Sequence, residues 1–179
     1  MEIAYALDRS ILHQAVRIIN HAGTPLPLLI GFHTSFAIPF CPGSCAEDIR
    51  VTADLAAELT RDSRCLTVGR TAPDMLFSAL CEGTYRPTAP ISRQYRAGEY
   101  GEILLTDTRT GVCVRYRPDS MFRYRLFYTP ECGYLCMEPQ TCAVNAPNLP
   151  QDSPDAGYPM LAAGETVTLH STIALEGLE

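Results

Sequence analysis

From Met1 to Leu175 the chain breaks into about ten short runs of alternating or β-branched apolar residues, separated by turn residues. Nowhere does it hold the 3.6-residue apolar rhythm of a long helix. Runs this short cannot bury a face alone. They must pair edge to edge and stack sheet on sheet, so the expectation is an all-β fold, an antiparallel sandwich or barrel. The cleanest run is Glu165 to Leu175, where Val167, Leu169, Ser171 and Ile173 share one side. The clearest hairpin turn is Asp107-Thr108-Arg109-Thr110-Gly111, with glycine where a positive φ is needed. Strands are also expected over Met1 to Asp8, Ile11 to Asn20, Asp48 to Ala53, Ile91 to Tyr95, Glu99 to Asp107, Val112 to Tyr116 and Met121 to Thr129. Leu55 to Thr60 fits a weak helix or a strand, and Pro73 to Leu80 a strand or one helical turn. Within Met121 to Thr129, Arg123 and Arg125 share one side and Phe122, Tyr124, Leu126 and Tyr128 the other; with Arg115 and Arg117 these arginines read as a solvated sheet face rather than an anion site.

The chain has 179 residues, enough for a single domain with a real core. It is 46% hydrophobic and 19% charged, as folded rather than disordered chains are. A formal charge of −6 disfavours nucleic acid or an anionic membrane as partner. No run approaches the ~18 apolar residues of a membrane span. No basic segment followed by an apolar core opens the chain, so a cytoplasmic setting with reduced thiols is the expectation. Among the eight cysteines, Cys41 and Cys45, then Cys132, Cys136 and Cys142, come nearest to metal spacing, but no C-x-x-C pair occurs. The thiols are read as small apolar residues, with no metal. Met1 falls almost directly inside a strand-like pattern, which suggests the later part of something longer, with open sheet edges that invite self-association.

Two stretches could carry chemistry. Tyr134-Leu135-Cys136-Met137-Glu138-Pro139-Gln140-Thr141 ends an apolar strand on a carboxylate, one residue before a proline expected to stop it. Alternation places Tyr134 and Cys136 on the same face as Glu138. Leu26 to Pro39 is apolar with His33 in the middle, and Gly31 would let another group approach closely. Each reading has a plainer rival: Glu138 as a solvated surface residue, His33 as a hydrogen-bonded core histidine. No nucleophile elbow, phosphate loop, dinucleotide fingerprint or histidine pair is present, which leaves proton transfer between an acid and an imidazole, or plain binding.

Leu28-Leu29-Ile30-Gly31-Phe32-His33-Thr34-Ser35-Phe36 resembles the Gly-Phe-His-x-Tyr-Phe segment of the aldose 1-epimerase (galactose mutarotase-like) family. The stretch from Leu135 through Glu138 to Cys142, continuing over Asn145-Ala146-Pro147-Asn148, resembles the segment around that family's catalytic glutamate. The hairpin at 107–111 and the turn Leu161-Ala162-Ala163-Gly164-Glu165-Thr166 resemble two further family features in the same order. The resemblance implies a large, cofactor-free β-sandwich of which residues 1–179 form a C-terminal portion. It implies an isomerase that interconverts the α and β anomers of a hexose, with Glu138 as base and His33 as acid, and with Phe32, Ser92, Arg93, Gln94 and Gln140 as substrate contacts. The alternatives are a carbohydrate-binding module that has lost turnover, and a hexose-6-phosphate epimerase in which Arg93, Arg96 or the arginine-rich hairpin holds the phosphate. Two family positions differ: Ser35 stands where a tyrosine is usual, and Ser92 where a sugar-binding aspartate is usual. The family's N-terminal half, which supplies a second histidine and an arginine, has no counterpart, so weak activity or none is expected of this chain by itself.

Overall fold

The computed structural model describes residues 1–131 and 133–177. Its elements, in chain order, are β1 (Glu2–Asp8), β2 (Ile11–Ile19), β3 (Leu26–Pro27), β4 (Ser35–Ala37), β5 (Ile49–Ala53), β6 (Leu55–Arg61), β7 (Thr67–Thr71), α1 (Met75–Glu82), β8 (Ile91–Ala97), β9 (Ile103–Asp107), β10 (Cys113–Arg117), β11 (Tyr124–Thr129), β12 (Tyr134–Gln140), β13 (Met160–Leu161) and β14 (Thr166–Glu176). Two six-stranded sheets run in the orders β1-β2-β14-β10-β9-β5 and β4-β12-β11-β8-β6-β7, while β3 and β13 form a small third sheet. Every pairing is antiparallel. The sandwich expected from the short alternating runs is therefore present.

The period of two explains the layering. In β14, Leu169 and Ser171 are buried whereas Thr168 and His170 are exposed. In β5, Ile49, Val51 and Ala53 face inward, and in β9 Ile103 and Leu105 do the same. These residues, with Val114 and Tyr116, meet Tyr95, Phe127, Leu135 and Met137 of the second sheet in one core. A second cluster (Val16, Ile18, Leu28, Phe122, Leu161 and Leu169) packs the 28–32 stretch against β2 and β14. A third joins Ala143, Ala146 and Leu149 to Leu59 and Tyr124, so the segment after β12 roofs part of the second sheet's outer face.

Three local readings are corrected or settled. Leu55 to Arg61 is strand, and the stretch from Pro73 holds an eight-residue helix, α1, rather than a strand or a single turn. Asp74 starts that helix by accepting from the Phe77 N–H at 2.9 Å, Gly83 ends it at φ 73°, and Leu80 is fully buried beneath it. Pro139 does not stop β12, which runs on to Gln140. The strand beyond it on that side is the irregular 28–34 stretch, which asks nothing of a proline N–H and instead donates the Phe32 N–H to the Pro139 carbonyl at 3.1 Å.

The arginines do not form one solvated face. Arg123 is exposed, and Arg115 and Arg117 pair with Glu102, with Glu176 also on Arg115, at 2.5 to 2.7 Å. Arg125 is only 2% exposed. Its guanidinium donates to the carbonyls of Phe122 (2.5 Å), Tyr124 (2.9 Å) and Gly101 (2.8 Å), and burial pushes its pKa down to about 10. A cage of carbonyls replaces water there. The thiols are also less uniform than expected. Cys136 is buried, but Cys45, Cys65 and Cys81 are exposed, and Cys132 lies outside the described residues. β1 is exposed along its whole length, with Ile3, Tyr5 and Leu7 projecting apolar surface. No helix among the described residues is long and apolar enough to cross a membrane.

Candidate functional site

The outer face of the second sheet carries the polar residues. Antiparallel register sets Glu138 opposite Leu126, Cys136 opposite Tyr128, and Gln140 opposite Tyr124. Across β11, Leu126 faces Gln94 and Tyr128 faces Ser92. Ser35 of β4 lies opposite Cys136 on the other side. Since directly opposed residues share a face, Ser35, Cys136, Glu138, Gln140, Tyr128, Ser92 and Gln94 project to one side of the sheet.

The 28–34 stretch brings His33 to this face. It is tied to β12 by Thr141 N–H to Ile30 O (2.9 Å), Met137 N–H to Thr34 O (2.8 Å) and Thr141 Oγ1 to Leu28 O (2.6 Å). Gly31 allows that approach: a Cβ there would lie 3.0 Å from Gln140 Cγ and 3.3 Å from Pro139 O. The close approach anticipated at Gly31 is thus real. It sets His33 Nε2 3.2 Å from Glu138 Oε1. The imidazole side chain is 62% exposed, so the core-histidine reading does not hold, while the Glu138 side chain is only 12% exposed, so it is not a freely solvated residue either. The histidine ring also meets Tyr128 edge to face, 6.1 Å between centroids.

Burial pushes the Glu138 carboxyl up, and the charges of His33 and Arg61 pull it back only in part. Arg61 was not singled out from the sequence. It comes from β6, where the register shifts between Thr60 and Arg61, and its guanidinium donates to both Ser92 Oγ and the Ser92 carbonyl at 2.6 Å. An arginine at a strand end has no distinguishing local pattern; only the pairing of β6 with β8 brings it here.

The other expected contacts divide. Ser92 lies at the site, held by Arg61. Gln94 is fully buried, donating to Gln140 Oε1 at 2.5 Å and accepting from Thr67 Oγ1 at 2.8 Å, so it positions Gln140 from beneath the roof. Phe32 packs against Phe122 in the second cluster, with centroids 5.9 Å apart. Arg93 lies on the opposite face of β8, bound to Glu58 (3.0 Å) and Asp74 (2.6 Å). The structure therefore brings Glu138, His33, Ser92 and Gln140 to one face and leaves Arg93 and Phe32 elsewhere. Tyr134, expected beside Cys136, is exposed on the same face. A 290 Å³ cavity lies on the far side of the 32–34 stretch, lined in part by Tyr5, Leu12, Gln14 and Tyr116; it reaches His33 but not Glu138.

The two-sheet antiparallel sandwich that carries this carboxylate and histidine has a galactose mutarotase-like fold. Superposition on solved structures bears out the resemblance first read from sequence. The chain is similar to a galactose mutarotase-like protein from Clostridium acetobutylicum, at TM-score 0.89 and 25% identity over 98% of this chain and 55% of that one. It is similar in fold to a candidate aldose 1-epimerase from Escherichia coli K12 (TM-score 0.79, 17% identity, 98% of this chain and 60% of that one). An aldose epimerase homologue from C. elegans aligns at TM-score 0.71 and 15% identity over 99% of this chain and 59% of that one. No protein-family model matches the chain. The chain thus spans little more than half the length of these structures.

Proposed function

We propose that Glu138 and His33 are the acid–base pair of an aldose 1-epimerase reaction on a hexose. The observation that carries this is the 3.2 Å contact between a mostly buried carboxylate, raised in pKa by its burial, and a solvent-facing imidazole. Glu138 takes the proton from the anomeric hydroxyl while His33 gives one to the ring oxygen, and the bond from the anomeric carbon to the ring oxygen breaks. The open-chain aldehyde turns about its carbon–carbon bond. Ring closure on the other face reverses both transfers, so neither residue is changed. A contact this short leaves no room for a sugar ring between the two groups. Binding therefore swings the exposed imidazole off Glu138, and hydroxyls take up Ser92, Gln140 and Arg61.

Because the chain spans 55 to 60% of the structures named above, turnover by this chain alone is expected to be slow. Polarimetry on freshly dissolved α-glucose or α-galactose tests the reading. A rate above buffer should fall about 10²–10⁴-fold in Glu138→Gln, the usual cost of losing a general base. A rate that survives the substitution would refute it. Sugar binding by calorimetry with no rate at all would select the non-catalytic carbohydrate-binding module instead. Arg93, Arg96, Arg115 and Arg117 each have a carboxylate partner, which counts against a phosphate at those four, although Arg123 of the same hairpin is exposed. Glucose 6-phosphate is accordingly expected to show no advantage over glucose.

A further inference from the structure

The same corner of the second sheet presents three different donor atoms together. A His33 ring nitrogen, Cys136 Sγ and a Glu138 carboxylate oxygen all lie within 4.8 Å of one another. A four-coordinate zinc ion, with bonds of about 2.0–2.3 Å, holds its ligands about 3.3–3.8 Å apart, so the three atoms need close by no more than about an ångström. Two of them are already held rigidly. Cys136 and Glu138 are alternate residues of β12, and Cys136 is fully buried with Ser35 Oγ 3.1 Å from its sulfur. The third, His33, is on the irregular stretch beside the strand with its side chain 62% exposed, so it can supply the adjustment. That exposure also leaves a fourth coordination position open to water.

We propose that His33, Cys136 and Glu138 form a divalent-metal site that takes zinc in preference to magnesium or calcium. The sulfur donor sets the preference: thiolate with imidazole suits a borderline-soft ion, whereas hard ions prefer oxygen alone. On binding, the Cys136 S–H bond breaks, its proton passes to solvent and a sulfur–metal bond forms; no electron is transferred. A thiolate and a carboxylate neutralise the charge of a divalent ion, which makes the site electrically balanced. Arg61 is a nearby charge that opposes the ion. The spacing of Cys41, Cys45, Cys132, Cys136 and Cys142 could not have indicated this set, because two of its three members are not cysteines and one comes from a distant stretch. If the epimerase reading holds, zinc also occupies both proton-transfer groups and inhibits; that consequence rests on the reading, but the binding does not.

Cobalt(II) titration of the full chain provides the test. The expected result is a thiolate-to-cobalt charge-transfer absorption with the intense visible bands of four-coordinate cobalt, both displaced by zinc. Cys136→Ser should abolish the charge-transfer band. His33→Ala, on an exposed side chain that folding does not need, should weaken zinc binding by at least about tenfold. Cys45→Ser and Cys142→Ser should leave the band intact. No band at millimolar cobalt, a band that persists in Cys136→Ser, or one lost only in the two control variants would overturn the site. A band with the expected dependence would uphold the metal site whether or not the protein anomerises sugars, and a Glu138-dependent rate without a band would uphold the epimerase reading alone, so the two fail separately.

Discussion

Asp155→Asn should loosen the roof over the candidate site, and its cost follows from the geometry. The Asp155 side chain is 2% exposed. It accepts from Arg70 Nε at 2.7 Å, Arg70 Nη2 at 3.0 Å and the Tyr124 hydroxyl at 3.0 Å, with Arg96 at 3.7 Å. This carboxylate anchors the segment after β12, whose Ala143, Ala146 and Leu149 cover Leu59 and Tyr124. Asparagine keeps the shape but removes the charge, and turns an amide NH2 toward the Arg70 guanidinium, which can only donate. Each charge-assisted bond is worth about 1.5–3 kcal/mol. Breaking a fully buried pair costs about 3–5 kcal/mol. Arg70 and Arg96 are 37% and 36% exposed and regain water, so the smaller figure of about 2–3 kcal/mol applies. In a domain of this size that lowers Tm by about 4–12 °C.

Urea unfolding measures the loss, and hydrogen exchange over 141–156 should locate it. The pH dependence has a definite sign. Burial pushes the Asp155 carboxyl up, but the bonds from Arg70 and Tyr124 and the charges of Arg70 and Arg96 outweigh it, and the net pKa is lowered. A lowered carboxylate stabilises the fold fully above its unfolded value of about 3.9 and progressively less as pH falls through the folded value. The difference between wild type and Asp155→Asn should therefore be complete at pH 7 and shrink below about pH 4. A variant within about 0.5 kcal/mol of wild type would refute the anchoring role, that being the range of surface substitutions that disturb nothing. So would a difference that does not change down to pH 3.

Arg125→Met should cost about 2–5 kcal/mol in chemical denaturation, because the Gly101 and Phe122 carbonyls lose a buried donor; equal stability would show that the cage contributes nothing. Gly31→Ala should cost about 1–3 kcal/mol, since its Cβ would press on Gln140 Cγ and Pro139 O. The same change should shift the His33 imidazole NMR signals as the stretch moves off β12, and unmoved signals would count against the packing argument. Leu80→Ala should lose about 2–5 kcal/mol by thermal unfolding, as for a side chain with no exposure in the main core.

Period-two alternation made the strands legible, as in β14 and β5, because every second residue must enter a core. The hairpin at 107–111 was legible because Gly111 takes φ 78°, which a side chain would resist. The same alternation already separates Arg93 from Ser92 and Gln94, since neighbours on a strand cannot share a face; grouping the three as contacts ran against it. Arg125 shows the opposite limit. Alternation sets it on the same side as Arg123, a side expected to be solvated, yet it is buried, and nothing local announces that Gly101 and Phe122 supply carbonyls to hold it.

Local sequence thus determined the layers of this protein and offered Glu138 and His33 as candidates, with their pairing implied by family resemblance. Tertiary structure alone decided that the two touch, that Arg61 reaches Ser92, that Gln94 is sealed under the roof, and that Cys136 joins His33 and Glu138. The physical reason is that alternation records which way a side chain points, whereas a site depends on which strands are neighbours and in what register. Those relations join residues far apart in the chain, and no short segment encodes them.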